Sequence, residues 1–151
     1  MARPVIVCVD GSELSRPVVQ VAQRLAGRLG LDLVLLHVAP PTEAPGVSAA
    51  AGGQQRLHDE ELRDAEKLLD DLALGMGLGA DVRRRSEIGP AADRIVDACA
   101  DEEAELVVLG SRGRGGLKAA LLGSVSSKVA SHAPCPCVIV SADASQRPFL
   151  A

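Results

Sequence analysis

A glycine-rich segment offers the residue types best suited to binding an anion. It runs from Leu109 to Ser126, begins where a short apolar run ends, and finishes where a helical pattern begins. Glycines at such a junction let backbone amides approach an anion closely, and the positive end of a helix dipole attracts negative charge. We expect Ser124 to cap this helix while its hydroxyl faces the same oxygens. The segment predicts a phosphate-binding turn, with a plain glycine-rich loop and a capping serine as the alternative.

Asp10 is a second candidate, because it follows the first apolar run and precedes Gly11 and Ser12. An acidic residue in this setting either takes part in ligand binding or makes a turn before a serine-capped helix. A carboxylate and a phosphate can share one crevice when a divalent cation lies between them. If the crevice binds phosphates, the sequence therefore implies Mg²⁺, with Asp10 as its protein ligand.

The elements that would position these residues alternate along the chain. Four short runs that are apolar at nearly every position predict strands buried on both faces of a parallel sheet, over residues 5–9, 33–38, 106–109 and 138–140. Apolar residues spaced three and four apart predict helices over about 12–29, 57–75, 91–103 and 124–132. A fifth strand, 82–88, carries charge on both faces, which predicts a position at a sheet edge.

This succession predicts an α/β fold: an open doubly wound five-stranded parallel sheet, strand order 3-2-1-4-5, with helices on both faces. Ligands bind such sheets beyond the carboxyl ends of the strands where the strand order reverses, here between the first and fourth strands. Asp10 and the glycine-rich segment follow these two strands. The last strand, made of Val138, Ile139 and Val140, would lie at an edge, where its apolar character predicts a homodimer by strand pairing.

Residues 1–142 are expected to form a single domain, followed by a loose C-terminal tail over residues 143–151. The segment 40–53 is rich in proline, glycine and alanine. A loop of this length without a periodic pattern is either a lid or a disordered insertion.

Composition excludes several classes of partner. The 151 residues include 20 acidic and 16 basic side chains, for a net charge of −4, and no Trp or Tyr. Nucleic-acid binding needs clustered positive charge or aromatic stacking platforms, so we do not expect nucleic acid as a partner. No apolar run approaches the roughly 20 residues of a membrane span, so no membrane association is expected. We expect a cytoplasmic protein whose four cysteines are reduced.

The sequence lacks the motifs of several other classes of nucleotide-binding protein and hydrolase. The sequence has no Walker A loop, no Rossmann G-x-G-x-x-G after the first strand and no G-x-S-x-G elbow. Cys135 and Cys137 are interpreted as buried or edge thiols, and the run 83–85 of three arginines as an exposed guard of a sheet edge or a surface for an acidic partner. We interpret His37 as a strand-end residue, and His58 and His132 as helix-surface residues, because none of the three has metal-ligand spacing.

The spacing of the glycines resembles the nucleotide-binding pattern of the universal stress protein family, in its ATP-binding branch. Two residues separate Gly110 from Gly113, and nine separate Gly113 from Gly123 and Ser124. The resemblance covers nearly the whole chain. It includes the opening 6–12, the strand end 36–38 and the ending 123–136. It implies an adenine-nucleotide α-hydrolase-like sheet, a dimer through the last strand, and ATP with a divalent ion as ligand.

The resemblance also implies roles for single residues. Asp10 would lie near the ribose and the metal-bound phosphates, Val38 would read the adenine edge with its backbone groups, and Val125 would donate its amide at the helix start. Separately from the resemblance, the guanidinium groups of Arg112 and Arg114 would border a phosphate site and could pair with the anion, although for Arg114 a solvated surface position is the favoured interpretation. The expected nucleotide-binding residues are Val9, Asp10, Val38, Leu109, Gly110, Arg112, Gly113, Gly123, Ser124, Val125 and Ser126.

The leading functional prediction is an ATP-binding regulatory protein of the stress-response type, in which bound nucleotide sets the conformation or partner preference of a dimer. A slow ATPase is one alternative, although the sequence offers no unambiguous general base. A nucleotide-free interaction module of the same fold is another, against which the intact glycine pattern argues. No catalytic residue is predicted.

Overall fold

Strands and helices alternate along the chain, as the apolar pattern predicts. The structure is a computed structural model that describes residues 3–42, 52–112 and 122–141. Its elements are β1 (Val5–Cys8), α1 (Ser15–Leu29), β2 (Leu33–Ala39), α2 (Gly53–Gly75), β3 (Arg83–Ile88), α3 (Ala91–Asp101), β4 (Leu106–Gly110), α4 (Ser124–His132) and β5 (Cys137–Val140). The expected tail, most of the segment 40–53, Gly113 and Arg114 lie outside the described residues.

The five strands form one parallel sheet in the order β3-β2-β1-β4-β5, which confirms the predicted topology. The central strand is β1, whose Val5 pairs with Leu33 of β2 on one side and with Leu106 of β4 on the other. Residues 5–7 are fully buried, as expected for a strand covered on both faces. The order reverses between β1 and β4, so the carboxyl ends of these strands flank the crevice where ligands bind in such sheets.

Successive side chains of the sheet face two separate cores. Val5 and Val7 pack with apolar residues of α1 and α2, whereas Ile6 packs with residues of α3 and α4. This alternation follows from the period of two along a strand. The helices therefore cover both faces, as predicted. Within the three described ranges, no helix combines the length and the apolarity needed to cross a membrane.

Helix α1 begins at Ser15, three residues later than the sequence predicted. The amide of Ser12 donates to Asp10 Oδ1 at 2.9 Å, and the amide of Ser15 donates to the Ser12 carbonyl at 3.1 Å. Gly11 permits this turn, since its φ of 80° lies in the left-handed region. Asp10 therefore makes the turn that its sequence setting allowed, and this turn occupies residues that were assigned to the helix.

The charged strand β3 lies at the edge of the sheet, which confirms its predicted position. Its three consecutive arginines are already paired with acidic side chains of this chain. The shortest ion pairs are Arg83 with Glu102 at 2.8 Å, Arg84 with Asp70 at 3.0 Å, and Arg85 with Glu87 at 2.7 Å and with Asp101 at 2.8 Å. The guard interpretation of this run therefore fits the structure better than a surface awaiting an acidic partner.

Candidate functional site

A cleft opens at the carboxyl ends of β1, β2 and β4, between the starts of α1, α3 and α4. Its cavity volume is about 120 Å³. Small-molecule sites typically occupy about 300–1,000 Å³, so the described residues would enclose only part of a ligand of that size. The cleft lies at the reversal of strand order where the sequence predicted a site.

One end of the cleft has an aliphatic wall. Leu36 and Val38 of β2, Ala91 and Ile95 of α3, and Leu109 of β4 line it. A flat ring of a ligand can make apolar contact with these side chains, and this contact does not need an aromatic side chain of the protein. The α3 residues belong to this wall because parallel strands all end at the same edge of a sheet, so the helix after β3 also begins there.

Beside the cleft, Ser15 holds the loop between β1 and α1 in place. Ser15 is 3% exposed, and its hydroxyl accepts hydrogen bonds from the amides of Asp10 at 3.3 Å and Gly11 at 3.2 Å. The same hydroxyl donates to Asp10 Oδ1 at 3.2 Å. Because Oδ1 also accepts the amide of Ser12, the Asp10 carboxylate has a defined orientation at the rim of the cleft.

The end of β4 and the start of α4 are joined by short contacts. The Gly123 amide donates to the Ser111 carbonyl at 2.8 Å, and the Ser126 hydroxyl lies 3.2 Å from that carbonyl and 3.0 Å from the Gly123 carbonyl. A Cβ on Gly123 would lie 3.3 Å from the Ser111 oxygen, and a Cβ on Gly110 would lie 2.6 Å from Leu14 Cδ2. Glycine thus allows the backbone to close around this side of the cleft.

The prediction that Ser124 caps α4 is wrong. The cap position is taken by Gly123, whose backbone is extended, and Ser124 is already the first helical residue. No side chain of the described residues accepts a hydrogen bond at this cap. The first amides of a helix have no partner within the helix. The start of α4 therefore presents amides and the positive end of a helix dipole to this side of the cleft.

The structure brings most of the expected binding residues together. Those that line the cleft are Val9, Asp10, Val38, Leu109, Gly110, Arg112, Val125 and Ser126. Gly123 and Ser124 lie next to it at the start of α4 without contributing to its wall. Gly113 lies outside the described residues. The grouping agrees with the predicted placement of the two loops at adjacent strand ends.

Sequence reasoning missed four residues of the cleft that its geometry makes important: Ser12, Ser15, Ala91 and Ile95. The two serines follow Asp10 closely in the sequence, and polar residues next to a candidate ligand could have been included on that ground. The two α3 residues could have been found from the predicted topology, since the helix after the third strand begins at the same edge of the sheet.

The histidines occupy the places that their sequence positions predicted. His37, near the end of β2, is 7% exposed, and its Nδ1 lies 2.7 Å from the Val9 carbonyl oxygen. This contact ties the end of β2 to the residue that follows β1, beside the cleft. His58 and His132 are exposed on α2 and α4. In the described parts of the chain, no three His, Cys, Asp or Glu side chains form a group that could hold a metal ion.

Four thiols lie on the face of the sheet covered by α3 and α4. Cys99 is buried in that core, and Cys8, Cys135 and Cys137 pack against it. Burial raises the pKa of Cys99 to about 12, and the neighbouring Cys135 adds to the rise. Burial is also the main reason why the pKa values of the other three thiols are raised. Protonated thiols are poor nucleophiles, so these groups behave as the buried or edge thiols expected from the sequence.

The whole length of this domain has known relatives. Residues 1–141 match the model described as the universal stress protein family. A universal stress protein of Mycolicibacterium smegmatis is 35% identical over 143 aligned residues, with 91% of this chain and 45% of that protein covered. One of Thermus aquaticus is 31% identical over 142 residues, with 93% and 99% covered. The chain therefore spans about half of the mycobacterial relative and nearly all of the Thermus one.

Solved structures share the fold as well. Universal stress protein UspA from Lactobacillus plantarum has a TM-score of 0.71 at 23% identity, with 93% of this chain and 99% of that chain covered. A universal stress protein crystallised in complex with cAMP has a TM-score of 0.61 at 25% identity, with 92% and 97% covered. Both likenesses agree with the five-stranded parallel sheet described above.

Proposed function

The chain belongs to the universal stress protein family, and on this premise we propose that its cleft binds an adenine nucleotide, with ATP as the expected ligand. Binding rather than turnover is the output in this proposal, and the occupied cleft regulates which conformation or partner the protein favours. The observation that carries the proposal is that aliphatic side chains and the start of α4 line one and the same cleft.

The two ends suit the two parts of a nucleotide. At the aliphatic end, Leu36, Val38 and Ile95 provide apolar contact for the base, and the backbone groups of Val38 are suited to its polar edge. At the other end, the amides that begin α4 and the glycine backbone at Gly110 suit the phosphates. A guanidinium group on the same wall, that of Arg112, adds positive charge for an anion.

Asp10 fits a role in holding Mg²⁺ together with the phosphates. Mg²⁺ prefers oxygen ligands and is commonly bound by one or two carboxylates plus substrate phosphates, so a preformed cage of protein ligands is not required. The Asp10 carboxylate is oriented at the rim by its contacts with Ser12 and Ser15. In this proposal the metal ion offsets the repulsion between the carboxylate and the phosphates.

The related structure that contains cAMP supports an adenine nucleotide as the class of ligand. The cAMP belongs to the related protein. The structural likeness between that protein and this chain extends over most of both chains. Adenine, ribose and phosphate are common to cAMP and ATP. The shared chemistry therefore agrees with a site that has one apolar end and one end rich in amides.

Calorimetric titration of the full chain with ATP and MgCl₂ tests the proposal. We expect saturable binding and a rise in melting temperature, since ligand at 100 times its Kd adds about 2.7 kcal/mol to the free energy of unfolding. Asp10→Asn should weaken the Mg²⁺-dependent binding. Asp32→Asn is the matched control, because Asp32 is exposed at the opposite end of the sheet. Absence of saturable heat with the unmodified chain would overturn the proposal.

We also propose that the chain forms a homodimer through β5, which is an edge strand of the sheet that the described residues form. Val138 and Ile139 are only partly buried there. Sedimentation velocity should show a dimer that Val138→Asp weakens. Val82→Asp is the matched control next to the other edge strand, since Val82 and Val138 both are partly buried and pack against the same core. A monomeric unmodified chain, or equal effects of the two variants, would contradict the dimer.

A further inference from the structure

One hydroxyl in the cleft lacks a partner. Among residues 3–42, 52–112 and 122–141, Ser12 Oγ is the one buried side-chain nitrogen or oxygen without a hydrogen-bond partner. The backbone of the same residue is fully engaged: its amide donates to Asp10 Oδ1 at 2.9 Å, and its carbonyl accepts the amide of Ser15 at 3.1 Å. The turn therefore holds the residue in place while its hydroxyl remains unsatisfied.

An unsatisfied buried hydroxyl destabilises a protein, because folding removes it from water without replacing the lost hydrogen bond. A serine at this position of the turn is not needed for the turn itself, which uses the backbone groups of Ser12 and the side chains of Asp10 and Ser15. Alanine would preserve these contacts. The Ser12 hydroxyl thus lowers the free energy of unfolding of the ligand-free chain. The contacts of the turn do not explain why a serine is present at this position.

The position of Ser12 in the cleft offers another reason for a hydroxyl at this residue. Ser12 lines the cleft together with Asp10. A carboxylate can only accept hydrogen bonds, whereas a hydroxyl can donate one to an anionic oxygen or to a ribose oxygen. Rotation about the Cα–Cβ bond carries the hydroxyl between staggered positions without moving the backbone. Ser12 therefore supplies a neutral donor next to an acidic group in a site proposed to hold phosphates.

We propose that Ser12 Oγ hydrogen-bonds an oxygen of the sugar-phosphate part of the bound nucleotide, and that it is paired only in the bound state. This inference rests on the proposed nucleotide function and adds a residue to it. Ser12 lowers the stability of the free chain and raises its affinity for the ligand. These two effects have opposite signs, which a purely structural role would not produce.

Ser12→Ala tests the inference with two measurements on the full chain. In the absence of nucleotide, the melting temperature should rise by about 2–4 °C, because the unsatisfied group is gone. In calorimetry with ATP and MgCl₂, the affinity should fall about 10-fold, because the bound ligand loses the hydrogen bond from Ser12 Oγ. A rise in stability together with a loss of affinity supports the proposal, and any other combination overturns it.

Two controls sharpen the result. Ser131→Ala removes an exposed serine hydroxyl of α4, which lies 2.9 Å from the Ser127 carbonyl, and should change neither quantity beyond error. Ser12 also borders a groove between α1 and α2 that includes Asp64. Asp64→Ala alters that groove alone and should leave ATP affinity unchanged. An affinity loss in Asp64→Ala equal to that of Ser12→Ala would place the effect in the groove and overturn the proposal.

Shorter ligands identify the oxygen that Ser12 contacts. If the affinity loss of Ser12→Ala appears with AMP and ATP but not with adenosine, the partner is a phosphate oxygen; if adenosine shows it too, the partner is a ribose oxygen. Binding of ATP by the unmodified chain with no effect of Ser12→Ala would overturn the role of Ser12 and leave the proposed function standing. Failure of the unmodified chain to bind any adenine ligand would overturn both.

Discussion

At the scale of single residues, serines organise the polar end of the cleft. Ser15 satisfies two amides and one carboxylate oxygen with a single hydroxyl, and the Ser126 hydroxyl lies within hydrogen-bond distance of the Ser111 and Gly123 carbonyl oxygens, either of which can accept its proton. Both residues are buried. A small hydroxyl that both donates and accepts can satisfy several backbone groups in a space too narrow for a longer polar side chain. The β1–α1 loop and the contact between Ser111 and the start of α4 therefore depend on two small hydroxyl side chains.

We predict that Ser15→Ala lowers the free energy of unfolding by about 1–3 kcal/mol, because the amides of Asp10 and Gly11 lose the hydroxyl that accepts their hydrogen bonds. Urea unfolding followed by circular dichroism measures this change. Ser131→Ala, on the exposed face of α4, should stay within about 0.5 kcal/mol of the unmodified chain. Equal stability of the two variants would show that Ser15 does not hold the loop.

At the scale of elements, the ends of the helices decide how the loops reach the cleft. Helix α1 starts late because the Asp10 turn competes with its first residues, and it ends at Gly30, whose φ of 67° is left-handed. The amide of Leu31 donates to the Ala26 carbonyl at 2.9 Å, which closes the helix end before β2. Gly27 lies inside the same helix, is exposed, and has open space where a Cβ would be placed.

We predict opposite effects of the same substitution at these two glycines. Gly27→Ala should raise the free energy of unfolding by about 0.5–1 kcal/mol, because alanine loses less backbone entropy in a helix. Gly30→Ala should lower it by about 1–2 kcal/mol, because a left-handed backbone strains any residue with a Cβ. Thermal unfolding of both variants measures the difference. A stabilising effect at Gly30 would contradict the left-handed end of α1.

At the scale of the whole molecule, one sheet separates two cores with different chemistry. Among the described residues, the buried apolar side chains of the core with α1 and α2 are all aliphatic, whereas the core with α3 and α4 holds Cys99 with three further thiols packed against it. Burial keeps these thiols protonated in the folded chain by raising their pKa values. The unfolded chain loses the same protons at lower pH.

We predict that stability falls as pH rises above about 9, because thiols of the unfolded chain deprotonate near their ordinary pKa while the pKa of Cys99 in the fold is about 12. The stabilisation is complete below the unfolded pKa and is lost as pH approaches the folded one. Urea midpoints between pH 8 and 11 measure the trend.

Cys99→Ala isolates the thiol in this experiment. The variant is expected to be less stable at every pH, since it removes a buried side chain, but its stability should fall less steeply with pH. The sequence contains no tyrosine to titrate in this range, and Lys67 titrates in both chains alike. Parallel pH profiles of the two chains would contradict the raised pKa of Cys99.

The sequence by itself determined the order of the elements, the position of the charged strand at an edge, and the placement of Asp10 and the glycine-rich segment at adjacent strand ends. These features follow from local periodicity and from the handedness of strand–helix–strand connections, which a single chain displays in its residue order. The topology of the sheet was predictable for this reason, even though the sequence identity between this chain and the solved structures of its relatives is low.

Only the tertiary structure decided which side chains meet. The Ser12 amide and the Ser15 hydroxyl hydrogen-bond the Asp10 carboxylate, and Ala91 and Ile95 join the cleft from a helix far away in sequence. The arginines of β3 find their acids on α2, on β3 itself and at the end of α3. Such pairings depend on distances of about 3 Å between atoms, which shift with a single residue of register, whereas periodicity averages over whole elements.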